Sequence, residues 1–214
     1  MFYNLFFLIL IVTQFIPATR IGSLATSIGP FFLVLSIALT KEIYDECKRA
    51  KKDKDLNNEK YEILTPAGPV ESQSGNIRVG DIVRLAKGRR VPADMVLIWS
   101  SDPKGLSYIK TDQLDGEIDW KVRESIGDTQ GVIDARGRGE EIFSLECSVR
   151  CGSPSGKNYE FAGMFCMGNC EGLGKSLGLK NTLWANTTIA VGEVLGLVVY
   201  TGKDTRSGMN MKKP

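Results

Sequence analysis

The sequence predicts a membrane helical hairpin followed by a mainly-β domain, a distorted jelly roll or β-sandwich. Residues 1 to 39 hold a single charge, Arg20, whereas residues 41 to 60 are densely charged, a change too abrupt for one globular core. After Tyr61 the apolar residues fall into short alternating runs separated by Gly, Pro, Asn and Asp. A chain of 214 residues, 43% hydrophobic and 24% charged, is long enough for one ordinary domain with a further element beside it.

The hairpin comes first, over residues 1–40. Ile21 to Thr40, IGSLATSIGPFFLVLSIALT, runs without a charge, enough for about 30 Å of helix and so for a bilayer core. Gly29-Pro30 in its middle predicts a kink, since membrane helices tolerate proline when neighbours satisfy the freed carbonyl. The earlier run, MFYNLFFLILIVTQFIP, is as apolar but shorter, and only Ala18-Thr19-Arg20 separates the two. A signal peptide is the competing reading of that run, but Met1 to Asn4 lacks the positive flank such peptides carry. Both ends are expected in the cytosol, because the cations Lys41, Lys48, Arg49, Lys51, Lys52, Lys54 and Lys60 follow the second span. Gln14 is the polar exception within the first span. Such a side chain either bonds another helix or lines a transport path, and the sequence leaves both open.

Residues 41–60 continue as a cytosolic helical stalk, with Ile43, Tyr44 and Cys47 at helical spacing among the charges. Residues 61–214 form the β domain. Its strands are read at YEILT, NIRVGDIVRLA, DMVLIWS, LSYIKT, EIFSLECSV, YEFAGMF and the long pair NTLWANTTIAVGEVLGLVVYTG.

A net charge of +2, without a basic patch interleaved with aromatics, gives no footprint for nucleic acid. Cys147, Cys151, Cys166 and Cys170 make a C-x3-C pair of pairs that superficially suggests a four-thiolate metal site. Zinc knuckles more often use C-x2-C, and the chain has no histidine, so no metal is expected; reduced cytosolic thiols are the default, Cys47 among them.

One stretch exceeds what a turn requires. TDQLDGEIDWKVR, Thr111 to Arg123, gathers four carboxylates, a tryptophan and two cations around Gly116. It lies between GDIVRLAKGRRVPADMVLI and NTLWANTTIAVGEVLGLVVYTGKDTRSGMN. The three segments, in that order and spacing, resemble the lipid-flipping class of P-type ATPases from the first membrane span to just before the third, and the β domain then resembles their actuator domain. Asp115-Gly116-Glu117 and the Trp120-Lys121 pair follow the lipid version of the central loop rather than the TGES-like version of cation pumps. QFIP, from Gln14 to Pro17, and NTLWAN, from Asn181 to Asn186, look like the branch that works without an accessory subunit.

The resemblance implies an ATP-driven phospholipid translocase that moves lipid toward the cytosolic leaflet of Golgi or endosomal membranes, with residues 41–214 in the cytosol. These pumps phosphorylate an aspartate and later hydrolyse the aspartyl phosphate. Glu117 would be the dephosphorylation base, Gly116 would let the backbone approach the phosphate, and Asp115 would shape the turn. Lys121, Arg123 and a partner domain's magnesium would screen the charge. Gln14 is a weak candidate for the lipid path. Mg2+ and ATP belong to the phosphorylation and nucleotide-binding domains of the complete pump, outside this segment. The chain has no DKTG-type phosphorylation motif; GKDTRSG, Gly202 to Gly208, has similar letters in another order. A fragment, inactive alone, is therefore expected.

Ile118 departs from the pattern, standing where family members usually carry a hydroxyl. Two other readings stay open on the sequence alone: a cation-transporting pump that shares the actuator, and a non-enzymatic membrane-anchored β domain that docks on a complete pump.

Overall fold

A computed structural model of the protein describes residues 5, 8, 9, 12, 13, 16, 24–112, 116, 119–136, 139–155, 160–168 and 174–210. The chain divides into two compact units, residues 1–56 and residues 57–214.

A helix, α1, spans Leu24–Asn57, so it runs without a break through residue 40, where the apolar run meets the charged one. Its length is about 51 Å. Pro30 lies inside it. Ser36 Oγ and Thr40 Oγ1 donate to the carbonyls one turn back, Phe32 and Ser36, each at 2.7 Å, which hides their polarity within the apolar stretch. Phe32, Leu33, Val34, Ile37 and Leu39 are all exposed. Among the described residues no helix is long and apolar enough to cross a membrane, and the predicted hairpin is not confirmed by them. The connection at residues 18–20 and most of the first run lie outside the described residues.

The second unit is mainly β and antiparallel. Its strands are β1 Lys60–Thr65, β2 Gly68–Gln73, β3 Ile82–Ala86, β4 Asp94–Ser100, β5 Leu106–Lys110, β6 Trp120–Glu124, β7 Cys147–Cys151, β8 Gly163–Met167, β9 Lys175–Leu177, β10 Thr182–Leu183, β11 Thr188–Val191 and β12 Glu193–Tyr200. They form a six-stranded sheet ordered β10-β4-β12-β3-β1-β2 and two three-stranded sheets, β11-β5-β6 and β7-β8-β9.

The alternation within β4 explains the layering. Met95 and Leu97 enter one core cluster with Ile109 and Ile189 of the β11-β5-β6 sheet. Val96 and Ile98 enter the other with Phe165 and Leu177 of the β7-β8-β9 sheet. A period-2 strand that is apolar on both sides must be covered on both sides, so the large sheet is the middle layer. Each of these side chains contributes about 1.5–3 kcal/mol by leaving water.

Three local expectations change. EIFS is a 3-10 turn within Gly139–Ser144, and its strand begins only at Cys147. The long carboxy-terminal pair is three strands shared between two sheets: β10 joins β4, β11 joins β5 and β12 joins β3 and β4. A helix that periodicity did not predict, α2, spans Gly127–Arg136. Its two glycines weaken helix propensity, and tertiary bonds hold it instead. Gln130 Nε2 donates to the Ser100 carbonyl at 2.8 Å while its Oε1 accepts the Ser100 N–H at 2.9 Å, so the side chain extends the ladder of β4. A last short helix, α3, spans Arg206–Asn210.

Candidate functional site

β5 and β6 are a hairpin in strict register, with Lys110 opposite Trp120, Tyr108 opposite Val122 and Leu106 opposite Glu124. Their β-branched and aromatic residues suit a pleated, half-buried surface, and Ile109 is fully buried beneath. Residues 111–119 connect these strands at the Lys110–Trp120 end of a sheet that is anchored in the core. Thr111, the first of them, is buried.

Gly116 is exposed, and its N–H donates to the Asp112 carbonyl at 3.2 Å. Its φ is +76°, the left-handed region in which any side chain but glycine's is strained. A Cβ at Gly116 would meet nothing within 4 Å. The left-handed backbone thus requires the glycine, and among the described residues no neighbour does. Glu117, Asp115 and Ile118 lie outside the described residues, as does Gln14.

The strand after the loop sorts its side chains by face. Trp120 and Val122 are exposed, whereas Lys121 is half-buried and Arg123 is buried, its Nη1 donating to the Val122 carbonyl at 3.1 Å. Arg123 therefore faces the protein interior, which corrects the expectation that it screens a phosphate at the loop. Lys110 takes the surface position instead: its Nζ lies 5.8 Å from the Trp120 ring centroid, and Tyr108 lies 6.3 Å from the same ring.

Elsewhere in the domain two of the segments that carried the resemblance meet. Asp94, the acid of VPAD, is wholly buried and accepts the Ala185 N–H at 2.8 Å and the Arg206 N–H at 2.9 Å. Arg206 Nη1 reaches Asp94 Oδ2 at 3.4 Å, and its guanidinium lies 3.5 Å from the Trp184 ring centroid. Burial pushes the Asp94 carboxyl above its usual range, against the pull of these donors. The sequence reading named neither residue as part of a structural unit; the signal was an acid within an apolar strand start, VPADMVLI, which needs an internal partner.

A second polar group ties the amino-terminal edge to the same region. Arg90 donates through Nη1 to Asn186 Oδ1 at 2.8 Å and pairs with Glu59 at 2.9 Å. Asn186 has φ +68° and donates to Ser207 Oγ at 2.5 Å. Burial pushes the Glu59 carboxyl up, but the Tyr61 hydroxyl and Arg90 bonded to it outweigh burial and hold it below its ordinary 4.5. Burial and Glu59 together push the Tyr61 phenol up.

The cysteines do not converge. Cys147 and Cys151 lie along β7, four residues and so about 13 Å apart. Cys166 pairs with Ser148, one position off, and so points to the opposite face from Cys147. A single ion cannot hold these three thiols; Cys170 lies outside the described residues. Among the described residues no three or more His, Cys, Asp or Glu gather as metal ligands.

Residues 55–212 match the family described as the P-type ATPase actuator domain. The whole chain is 43% identical over 215 residues to the probable phospholipid-transporting ATPase tat-5 of Caenorhabditis elegans, of which it covers 20%. It is 41% identical over 214 residues to the probable phospholipid-transporting ATPase IIB of Homo sapiens, covering all of this chain and 18% of that one. With phospholipid-transporting ATPase NEO1 of Saccharomyces cerevisiae it shares 40% over 210 residues, 98% of this chain and 17% of that one. The chain thus spans about a fifth of the length of these relatives. Among solved structures, a zinc-transporting PIB-type ATPase in the E2.Pi state aligns over 74% of this chain and 17% of its own at 15% identity, with a TM-score of 0.42. By the match over residues 55–212, the chain belongs to the P-type ATPases and carries their actuator domain.

Proposed function

We propose that this chain supplies the actuator of an ATP-driven phospholipid translocase, whose loop 111–119 drives hydrolysis of an aspartyl phosphate held elsewhere in the same pump. The observation that carries the reading is the β5–β6 hairpin. Its inner face is anchored in the core, and Gly116, in the segment that joins its strands, is exposed, with no described residue within 4 Å of a Cβ placed there.

In the step so assigned, Glu117 accepts a proton from a water molecule whose oxygen attacks phosphorus. The bond from phosphorus to the aspartyl oxygen breaks, releasing phosphate and restoring the aspartate. Gly116 allows the loop's backbone to come close to the phosphoryl group, and Asp115 sets the turn. Mg2+ and ATP act in the phosphorylation and nucleotide-binding domains, outside this chain, where the cation supplies charge screening.

Residues 1–40 are assigned as two membrane spans and residues 41–214 as cytosolic. The exposed apolar side chains of α1 from Phe32 to Leu39, followed by Lys41 and the cations after it, support that reading. Gln14 is assigned to the lipid path. The likeness to the phospholipid-transporting relatives supports phospholipid as cargo, moved toward the cytosolic leaflet. Golgi or endosomal membranes and independence from an accessory subunit complete the proposal.

The test uses the complete pump. Glu117→Gln is expected to accumulate phosphoenzyme that decays slowly after the ATP is chased; rapid decay in that variant overturns the assignment. Stimulation of the parent's ATPase activity by a metal cation and not by phospholipid overturns the cargo.

A further inference from the structure

The segment that leaves β7 has no part in the chemistry above. Arg150, Ser153 and Pro154 stand there in the order Arg-x-x-Ser-Pro, and all three are exposed. Among the described strands β7, which carries Arg150, is an edge of its sheet, so that edge and the residues after it can be read in extended form by another chain. Gly152 fixes where the stretch departs: its N–H donates to the Ala162 carbonyl at 3.2 Å, and its own carbonyl accepts the Tyr200 hydroxyl at 2.7 Å. Ser153 is the next residue after this pinned backbone. With Gly152 and Ser155 it lines a cavity of about 500 Å³ whose wall also includes Tyr200, Glu160 and Arg206.

We propose that Ser153 is a modification site, phosphorylated by a proline-directed protein kinase, and that its phosphate docks on Arg206 in this cavity. Pro154 holds the residue before it extended and has no N–H to satisfy, which suits a kinase cleft that takes its substrate as a strand. Arg150, three residues earlier, offers a guanidinium to carboxylates of the kinase. In the transfer a bond forms from Ser153 Oγ to the γ-phosphorus of ATP and the bond from that phosphorus to the bridging oxygen breaks; ADP leaves, and the hydroxyl proton passes to the kinase's base. The product carries about −1.5 to −2 charges at pH 7 and strong acceptor oxygens. Arg206 Nη1 is engaged by Asp94, but Nη2 donates to the Glu160 carbonyl at 2.5 Å, a neutral acceptor on the wall of the same cavity. A phosphate oxygen is a charged acceptor and forms the stronger bond, so Nη2 gains by the exchange. The modification would tie the segment after β7 to the start of α3, where the chain leaves the last strand. The site requires the proposed cytosolic placement of residues 41–214, where ATP-dependent kinases act, and no step of the pump cycle.

The test incubates the complete pump, in detergent, with Mg-ATP and a mitogen-activated protein kinase, then maps phosphopeptides by mass spectrometry after hydroxylamine has cleaved any aspartyl phosphate. Phosphate on Ser153 is expected, absent from Ser153→Ala and reduced about tenfold in Pro154→Ala, whose substitution leaves the serine in place. Hydrogen exchange of the amides of residues 152–155 should slow about fivefold on phosphorylation, the equivalent of one hydrogen bond. Arg206→Lys keeps a cation for Asp94 but loses the second donor arm, so it should be phosphorylated as fast as the parent and show less slowing. No phosphate on Ser153, or phosphate on Ser155 alone, overturns the site. Phosphate on Ser153 with unchanged exchange, or with equal slowing in Arg206→Lys, overturns the docking on Arg206. In detergent the kinase reaches the domain from either side of the membrane, so failure there removes the site and leaves the cytosolic placement and the proposed function standing.

Discussion

The carboxylate of Asp94 and the guanidinium of Arg206 meet 3.4 Å apart in the interior, with side-chain exposures of 0% and 3%, joining the first residue of β4 to the first residue of α3. The pair is the junction of the VPAD, NTLWAN and TGKDTR segments, since Ala185 and Trp184 hold the same two side chains. It fixes where the chain leaves the last strand.

Removing one partner should therefore cost more than removing both. Arg206→Ala leaves a buried carboxylate without its cation and is expected to destabilise the domain by about 3–5 kcal/mol. Asp94→Leu with Arg206→Met should cost less than the sum of the two single changes, because neither partner is left charged and alone. Urea midpoints at pH 7 for the singles and the double measure this, and strict additivity would show that the pair is not coupled.

The Glu59 cluster gives a dependence on pH. A carboxyl whose folded value lies below its unfolded one binds fewer protons when folded, so its contribution is complete above pH 4.5 and is lost as pH falls through the folded value. Glu59→Gln should lower stability at pH 7 and flatten the decline between pH 5 and pH 3, roughly the window in which ordinary and lowered carboxylates titrate. An unchanged acid limb in thermal melts at several pH values would refute the assignment. Glu59 is partly exposed, so the effect is a fraction of that of a buried pair.

Gly116→Ala tests the turn. With φ at +76° and nothing near the new methyl group, the cost is backbone strain alone, about 1 kcal/mol. Gly116→Asn should cost less, since asparagine tolerates the left-handed region better. A loss of several kcal/mol in chemical denaturation would mean that the loop packs on something.

Ile118→Thr restores the hydroxyl usual in the family. In the complete pump it is expected to speed phosphoenzyme decay about fivefold, the equivalent of one hydrogen bond of about 1 kcal/mol. Quench-flow decay of the labelled phosphoenzyme reads it, and a rate equal to the parent's would show that another group already fills that role.

The sequence alone determined the mainly-β character of residues 61–214, the family and the loop to examine, because short period-2 runs and the spacing of VPAD, DGE and NTLWAN are local properties of the chain. It also marked the apolar run that opens α1. What it could not place were contacts between residues far apart in the chain. That β4 is covered on both faces, that NTLWANTTIAVGEVLGLVVYTG divides between two sheets, and that a glycine-bearing segment becomes α2 because Gln130 bonds Ser100 are all decided by pairing at long range. The same holds for the site. Asp115-Gly116-Glu117 was legible as letters, but only the tertiary structure turned Arg123 inward, left Trp120 and Val122 facing outward, and joined Asp94 to Arg206, because burial depends on which surface the fold lays over a residue and not on the residue's neighbours in sequence.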